Sequence, residues 1–102
     1  MRQARFLKPA EAEVDEAVAY FDEQRAGLGD RFEQDLLATV KFATEHPFSG
    51  QPLTKTVRKS RFRTFRYNLV YVVDAGEIVI IAVAHYRRRP GYWSNRLKSL
   101  RH

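Results

Sequence analysis

The stretch Tyr67-Asn68-Leu69-Val70-Tyr71-Val72-Val73, then Asp74-Ala75-Gly76-Glu77, then Ile78-Val79-Ile80-Ile81-Ala82-Val83-Ala84 decides how this chain folds. Two β-branched and aromatic runs flank a four-residue loop rich in turn residues, which predicts a β-hairpin. Both runs are apolar on both faces. The two strands are therefore expected at the centre of a sheet, covered by helices on at least one face. Just upstream, Val57-Arg58 and Phe62 to Phe65 alternate basic and apolar residues and supply a third strand. Downstream, Pro90 breaks the strand, and Trp93, Arg96, Leu97 and Leu100 fit a short terminal helix.

The first half of the chain has a helical period. Residues 3–8 predict a short strand. Pro9 suits the first position of a helix, where its missing N–H costs nothing. Glu11, Glu13, Asp15 and Glu16 follow, favourable at the positive end of the helix dipole. Ala10, Val14, Ala17, Val18 and Phe21 form an apolar stripe, with the acids on the other face. Gly27 is the expected C-terminal cap. Asp30, with Glu33 three residues later, resembles a capping box for a second helix. That helix carries Phe32, Leu36, Leu37, Val40 and Ala43 and ends at His46-Pro47, because the residue before proline avoids helical geometry. The expected architecture is α+β: a strand, a two-helix hairpin, a three-stranded antiparallel sheet and a short C-terminal helix. With 102 residues and no linker or repeat, it forms one domain spanning 1–102.

The absence of cysteine removes disulfides, thiolate metal sites and a cysteine nucleophile, and suits a reducing cytoplasm. The N-terminus, Met1 to Phe6, lacks the apolar core of a signal peptide. The longest apolar run, Ile78 to Ala84, is about a third of a membrane span. A soluble cytoplasmic protein with no membrane partner is the expectation. The net charge of +6 is unevenly placed. Residues 1–54 hold six basic and ten acidic side chains; residues 55–102 hold twelve and two. A basic excess confined to one half points to nucleic acid or an acidic protein as partner.

Two basic clusters are candidates for chemistry. Lys55, Arg58, Lys59, Arg61, Arg63 and Arg66 form the first. In an extended chain Lys59, Arg61 and Arg63 point the same way, so an anionic guest relieves their repulsion, although basic residues also serve to blunt a sheet edge. The second is His85-Tyr86-Arg87-Arg88-Arg89-Pro90-Gly91-Tyr92-Trp93, with Arg96, Lys98 and Arg101 beyond. It combines guanidinium groups for phosphate, aromatic faces for bases and an imidazole. A metal-free ribonuclease uses these residue types as general base, cationic clamp and general acid. Each has a plainer reading as well: Trp93 as the anchor of the terminal helix, His85 as a hydrogen-bonded strand end, and Tyr86 and Tyr92 as rim packing. His46, His85 and His102 are scattered, and no glycine-rich loop or Gly-x-Ser-x-Gly elbow is present. No metal or cofactor is expected.

Taken in order, several pieces resemble the RelE/ParE superfamily, the toxins of bacterial type II toxin–antitoxin modules. They are Ala17-Val18-Ala19-Tyr20-Phe21, Gly27-Leu28-Gly29-Asp30-Arg31-Phe32, His46-Pro47 with Gly50, Val57-Arg58, Phe65-Arg66-Tyr67-Asn68-Leu69-Val70-Tyr71, and Ile80 through Trp93. The resemblance spans nearly the whole chain. It implies a toxin that inhibits growth or stabilises a plasmid and is held inactive by a cognate antitoxin wrapping it. It also implies one of two targets. RelE-like members cut mRNA in the ribosomal A site; ParE-like members poison DNA gyrase. For the ribonuclease type the resemblance maps Lys59, Arg61, Arg87 and Tyr92 (or Trp93) onto the active site, with His85 beside them. Arg58, Arg63, Arg66, Arg88, Arg89, Trp93 and Arg96 are the expected partner-binding residues. One departure bears on the choice. RelE-type ribonucleases carry arginine after the tyrosine that opens the central strand, and here that position is Asn68, which cannot clamp a phosphate. The resemblance therefore implies a ParE-like gyrase inhibitor. The alternatives are a ribosome-dependent endoribonuclease, or a non-toxic antitoxin-binding protein with a decayed site.

Overall fold

The hairpin that opens the sequence argument forms the middle of a five-stranded mixed sheet in the computed structural model, which describes residues 3–100. Arg101 and His102 lie outside the described residues. The elements run β1 (Gln3–Phe6), α1 (Lys8–Gln24), α2 (Leu28–Glu45), β2 (Gln51–Pro52), β3 (Val57–Arg61), β4 (Tyr67–Asp74), β5 (Glu77–His85) and a 3-10 helix (Ser94–Leu100). The sheet order is β1-β5-β4-β3-β2. The class is the expected α+β, with two more strands in the sheet than the antiparallel three. β1 adds to β5 in parallel, from Gln3 opposite Glu77 to Phe6 opposite Ile80. β2 adds two residues to the outer edge of β3, and Pro52 closes that edge to further pairing.

β4 and β5 are joined by only two residues, Ala75 and Gly76, with φ of 41° and 83°. Positive φ at both positions is the geometry that matches the twist of a tight hairpin. The ladder slips between Val70 and Tyr71, leaving Ile81 as an extra residue in β5. That bulge changes which side chains face which layer. Before it, Ile78 and Ile80 point to the helices; after it, Val83 does. Val79, Ile81 and Ala82 point to the opposite face.

The helical hairpin covers the first face. Phe32, Leu36, Ala10 and Ala17 meet Leu69, Tyr71, Ile78 and Ile80 there, and Phe32 stands among the rings of Phe21, Phe62, Phe65 and Tyr67. The C-terminal segment covers part of the second face, where Trp93 joins Leu7, Val57, Val70, Val72 and Val79.

Local details differ from the sequence expectation. β1 ends at Phe6 rather than residue 8, and α1 begins at Lys8, so Pro9 sits one residue inside the helix. Gly27 does not cap α1, which ends at Gln24; with φ of 88° it starts α2. Asp30 is therefore in the first turn of α2 and forms no capping box. The amide of Gly29 is satisfied by Asp22 Oδ1 at 2.9 Å instead. Leu37 is 63% exposed and off the stripe, whereas Leu36 is buried. The terminal helix is a 3-10 helix.

Candidate functional site

On the face opposite the helices, the C-terminal segment leaves part of the sheet open. A cavity of about 420 Å³ lies there, between the β2–β3 connection and the His85–Ser94 segment. Asn68, Val70 and Ala84 form its floor; Leu53, Thr54 and Lys59 stand on one side. His85, Tyr86, Arg88, Arg89, Tyr92 and Trp93 stand on the other. Strand register explains the floor: Arg61, Asn68 and Ala84 are cross-strand neighbours in one row, and Lys59, Val70 and Ala82 in the next. The cationic walls and apolar floor suit an anionic guest that also carries apolar surface.

A partly buried carboxylate holds the wall formed by the His85–Ser94 segment in place. Glu13 of α1 accepts the Val83 amide at 3.0 Å and the Tyr92 hydroxyl at 2.6 Å. It also takes both terminal nitrogens of Arg96, at 2.9 and 3.0 Å, a two-point pairing with fixed geometry. Arg96 further donates to the Ile81 carbonyl at 3.0 Å. This pair sits where β1 has run out. The last bond on that edge is from Leu7 N to Ile80 O, and side chains then satisfy Ile81 and Val83. Burial and the bond to the Glu13 carboxylate push the Tyr92 phenol well above its ordinary value. Its proton is committed to Glu13.

A second carboxylate shapes the first basic cluster. Asp35 of α2, only 8% exposed, accepts the amides of Arg63, Thr64 and Phe65 at 3.0, 2.8 and 2.9 Å. It fixes the β3–β4 turn and leaves the side chains of Arg63 and Arg66 exposed.

The structure divides the residues singled out from the sequence. Lys59, His85, Tyr92, Arg88, Arg89 and Trp93 line one cavity; Arg61 and Arg87 do not. Arg61 donates to the Tyr86 hydroxyl at 2.9 Å and lies over that ring. The Arg87 amide donates to His85 Nδ1 at 3.0 Å. Arg88 stacks on Tyr92, 3.8 Å from the ring centre. Trp93, 7% exposed, is packed into the second core. Arg58 donates to the carbonyls of Phe48 and Gly50, and Arg96 is taken up by Glu13. Both thus act within the molecule. Among the described residues no group of three His, Asp or Glu side chains is placed to hold a metal.

Sequence reasoning missed Glu13 and Asp35, yet a signal for both was present. Ala10, Glu13, Val14 and Ala17 follow the i, i+3, i+4, i+7 spacing of a buried stripe, and so do Phe32, Asp35, Leu36 and Thr39. An acid in that register is carried into the interior and has to find donors there.

Residues 4–90 match the family described as the ParE toxin of the type II toxin-antitoxin system parDE. No curated protein sequence matches. Among solved structures, the chain is similar to one from the chromosomal ParDE toxin–antitoxin system of P. aeruginosa, with a TM-score of 0.73 and 17% identity. That match covers 83% of this chain and 96% of the other. It is also similar to the isolated E. coli RelE toxin, with a TM-score of 0.64 and 20% identity over 99% of this chain and 100% of that one.

Proposed function

The chain belongs to the ParE toxin family of type II toxin–antitoxin systems, and from that premise we propose that it inhibits DNA gyrase and is neutralised by a cognate antitoxin. The observation that carries the choice of target is the state of the cavity. A metal-free ribonuclease needs a base and an acid free to exchange protons and a cation over the scissile phosphate. Here the Tyr92 hydroxyl is bound to Glu13 with its proton held tightly. His85 Nδ1 already accepts the Arg87 amide. Lys59, Arg88 and Arg89 stand on the walls, but the central floor position is Asn68, which itself offers no charge to a phosphate. The surface is suited to binding an acidic protein surface rather than to cutting RNA.

Induced expression in a bacterial host without the antitoxin separates the targets. The expected outcome is a DNA-damage response with filamentation while protein synthesis continues at first, and rescue by the co-expressed antitoxin. Immediate arrest of translation with cleaved mRNA would transfer the chain to the ribonuclease reading. Harmless expression would make it an antitoxin-binding protein without toxicity.

A further inference from the structure

Arg31 of α2 and Arg63 of the β3–β4 turn both line a second pocket, of about 230 Å³, which lies between that helix and that turn. Both side chains are exposed, and neither donates a hydrogen bond or joins an ion pair. Several other arginines are taken up inside the molecule. Arg58 serves the Phe48 and Gly50 carbonyls, Arg61 serves Tyr86, Arg88 lies on Tyr92 and Arg96 pairs with Glu13. Two like charges at one small pocket repel each other, and an anion between them removes that cost. Asp35, at the same pocket, does not supply it, because both its oxygens accept backbone amides of the turn. We propose that this pocket is the contact with gyrase, and that it receives an acidic side chain projecting from the gyrase surface.

The inference rests on the gyrase reading above and names the surface through which it acts. Arg31, Gln34 and Asp35 share one face of α2, because residues three and four apart are neighbours on a helix. The turn they face is already fixed by three amides bound to Asp35, so little order is lost when a partner docks. Phe65 packs its ring against Phe21 and Phe32 and keeps part of it exposed to the pocket. It offers an apolar wall to the methylene groups of a guest side chain. The two guanidinium groups offer planar forks to its carboxylate.

A protein fits better than a nucleic acid because the pocket has the size of one side chain. A duplex presents its phosphates along a broad convex surface and is held by cations spaced along the backbone. Its phosphates do not enter a recess of this kind. Single-stranded nucleic acid gains much of its affinity by stacking bases on open rings. The one ring at this pocket, Phe65, is committed to the rings of Phe21 and Phe32. What remains is a pair of free guanidiniums beside an apolar wall, which matches an acidic side chain carried on a protein surface.

The test is inhibition of purified gyrase by the full chain and its variants, read together with melting temperature and affinity for gyrase. Arg31→Glu and Arg63→Glu should each raise the half-inhibiting toxin concentration about tenfold or more, with gyrase affinity falling in step. Both side chains are exposed and unpaired, so the variants should melt within a few degrees of the parent. Lys41→Glu is an equal charge change about 15 Å further along α2, at ~1.5 Å per residue, and should alter inhibition less than about threefold. The double variant Arg31→Gln, Arg63→Gln adds no negative charge beside Asp35, and it keeps the test decisive if Arg63→Glu fails to fold. Parent-like inhibition by the folded arginine variants would overturn the proposal while leaving the gyrase reading standing. An equal loss with Lys41→Glu would overturn it as well, since net charge alone would then account for the effect. A third contrary result is a matching loss of affinity for a short DNA duplex in the absence of gyrase, which would make the guest a nucleic acid. If the parent does not inhibit gyrase at all, the gyrase reading falls first and this inference with it.

Discussion

Glu13 shows how one side chain couples fold to function. Its carboxylate gathers a backbone amide, a phenol and a guanidinium, and so ties α1, β5 and the C-terminal segment together. The Glu13 and Arg96 side chains are 13% and 18% exposed, so removing one strands the other in a poorly solvated place. Glu13→Ala is expected to cost about 3 kcal/mol in denaturant unfolding, with the loss concentrated in the segment around Tyr92 and Arg96. The same network sets an alkaline limit. The folded chain holds the Tyr92 proton to higher pH than the unfolded chain does, so in that window it binds more protons. The stability this adds is complete below about pH 10, the ordinary tyrosine value, and is lost as pH rises through the folded value. Ultraviolet titration should show a late-ionising tyrosine that Tyr92→Phe removes; a Tyr92→Phe variant with an unchanged titration curve would mean that the bond to Glu13 does not form. None of this was visible as a bond in the sequence, because Glu13 and Arg96 are 83 residues apart. What was visible was the position of Glu13 in the helical register.

At the level of elements, the legible parts were those governed by local pattern. The β4–β5 hairpin, both long helices and their hairpin arrangement follow from periodicity and turn residues, and the structure contains them all. The unread parts depend on non-local partners. β1 was expected as a strand, but its parallel pairing to β5 requires a crossover through both helices. β2 has two residues, too few for any periodicity. The bulge at Ile81 carries no sequence mark in a run that is apolar throughout. Gly27 was assigned to the end of α1 because a helix-ending and a helix-starting glycine look alike in sequence. Gly50 has a clearer role: a Cβ there would run into the Tyr71 hydroxyl, which donates to the Pro47 carbonyl at 2.7 Å. The β3–β4 turn is held from outside the sheet by Asp35. Asp35→Ala leaves three amides without their acceptor and is expected to cost about 3 kcal/mol. Hydrogen exchange at Arg63, Thr64 and Phe65 should accelerate well before that of β4; uniform protection across both would show that the turn does not depend on the carboxylate.

Across the whole molecule, charge and layers coincide. The acids lie mostly on the helical hairpin, and most of the bases lie on β3, the β3–β4 turn and the C-terminal segment. Composition alone predicted an anionic partner. The structure narrows the basic half to a groove, and it withdraws Arg58 and Arg96 from the free cations by engaging them internally. Antitoxin affinity should weaken as salt rises from 50 to 500 mM, since rim charges are screened over about 10 Å at 0.1 M. A flat salt response would place the binding energy in apolar contacts. The central claim, that this ParE-family chain acts on gyrase, is tested most directly by supercoiling of relaxed plasmid by purified gyrase. Stoichiometric toxin should stop supercoiling, and pre-mixed antitoxin should restore it. Full supercoiling activity in the presence of excess folded toxin would contradict the account.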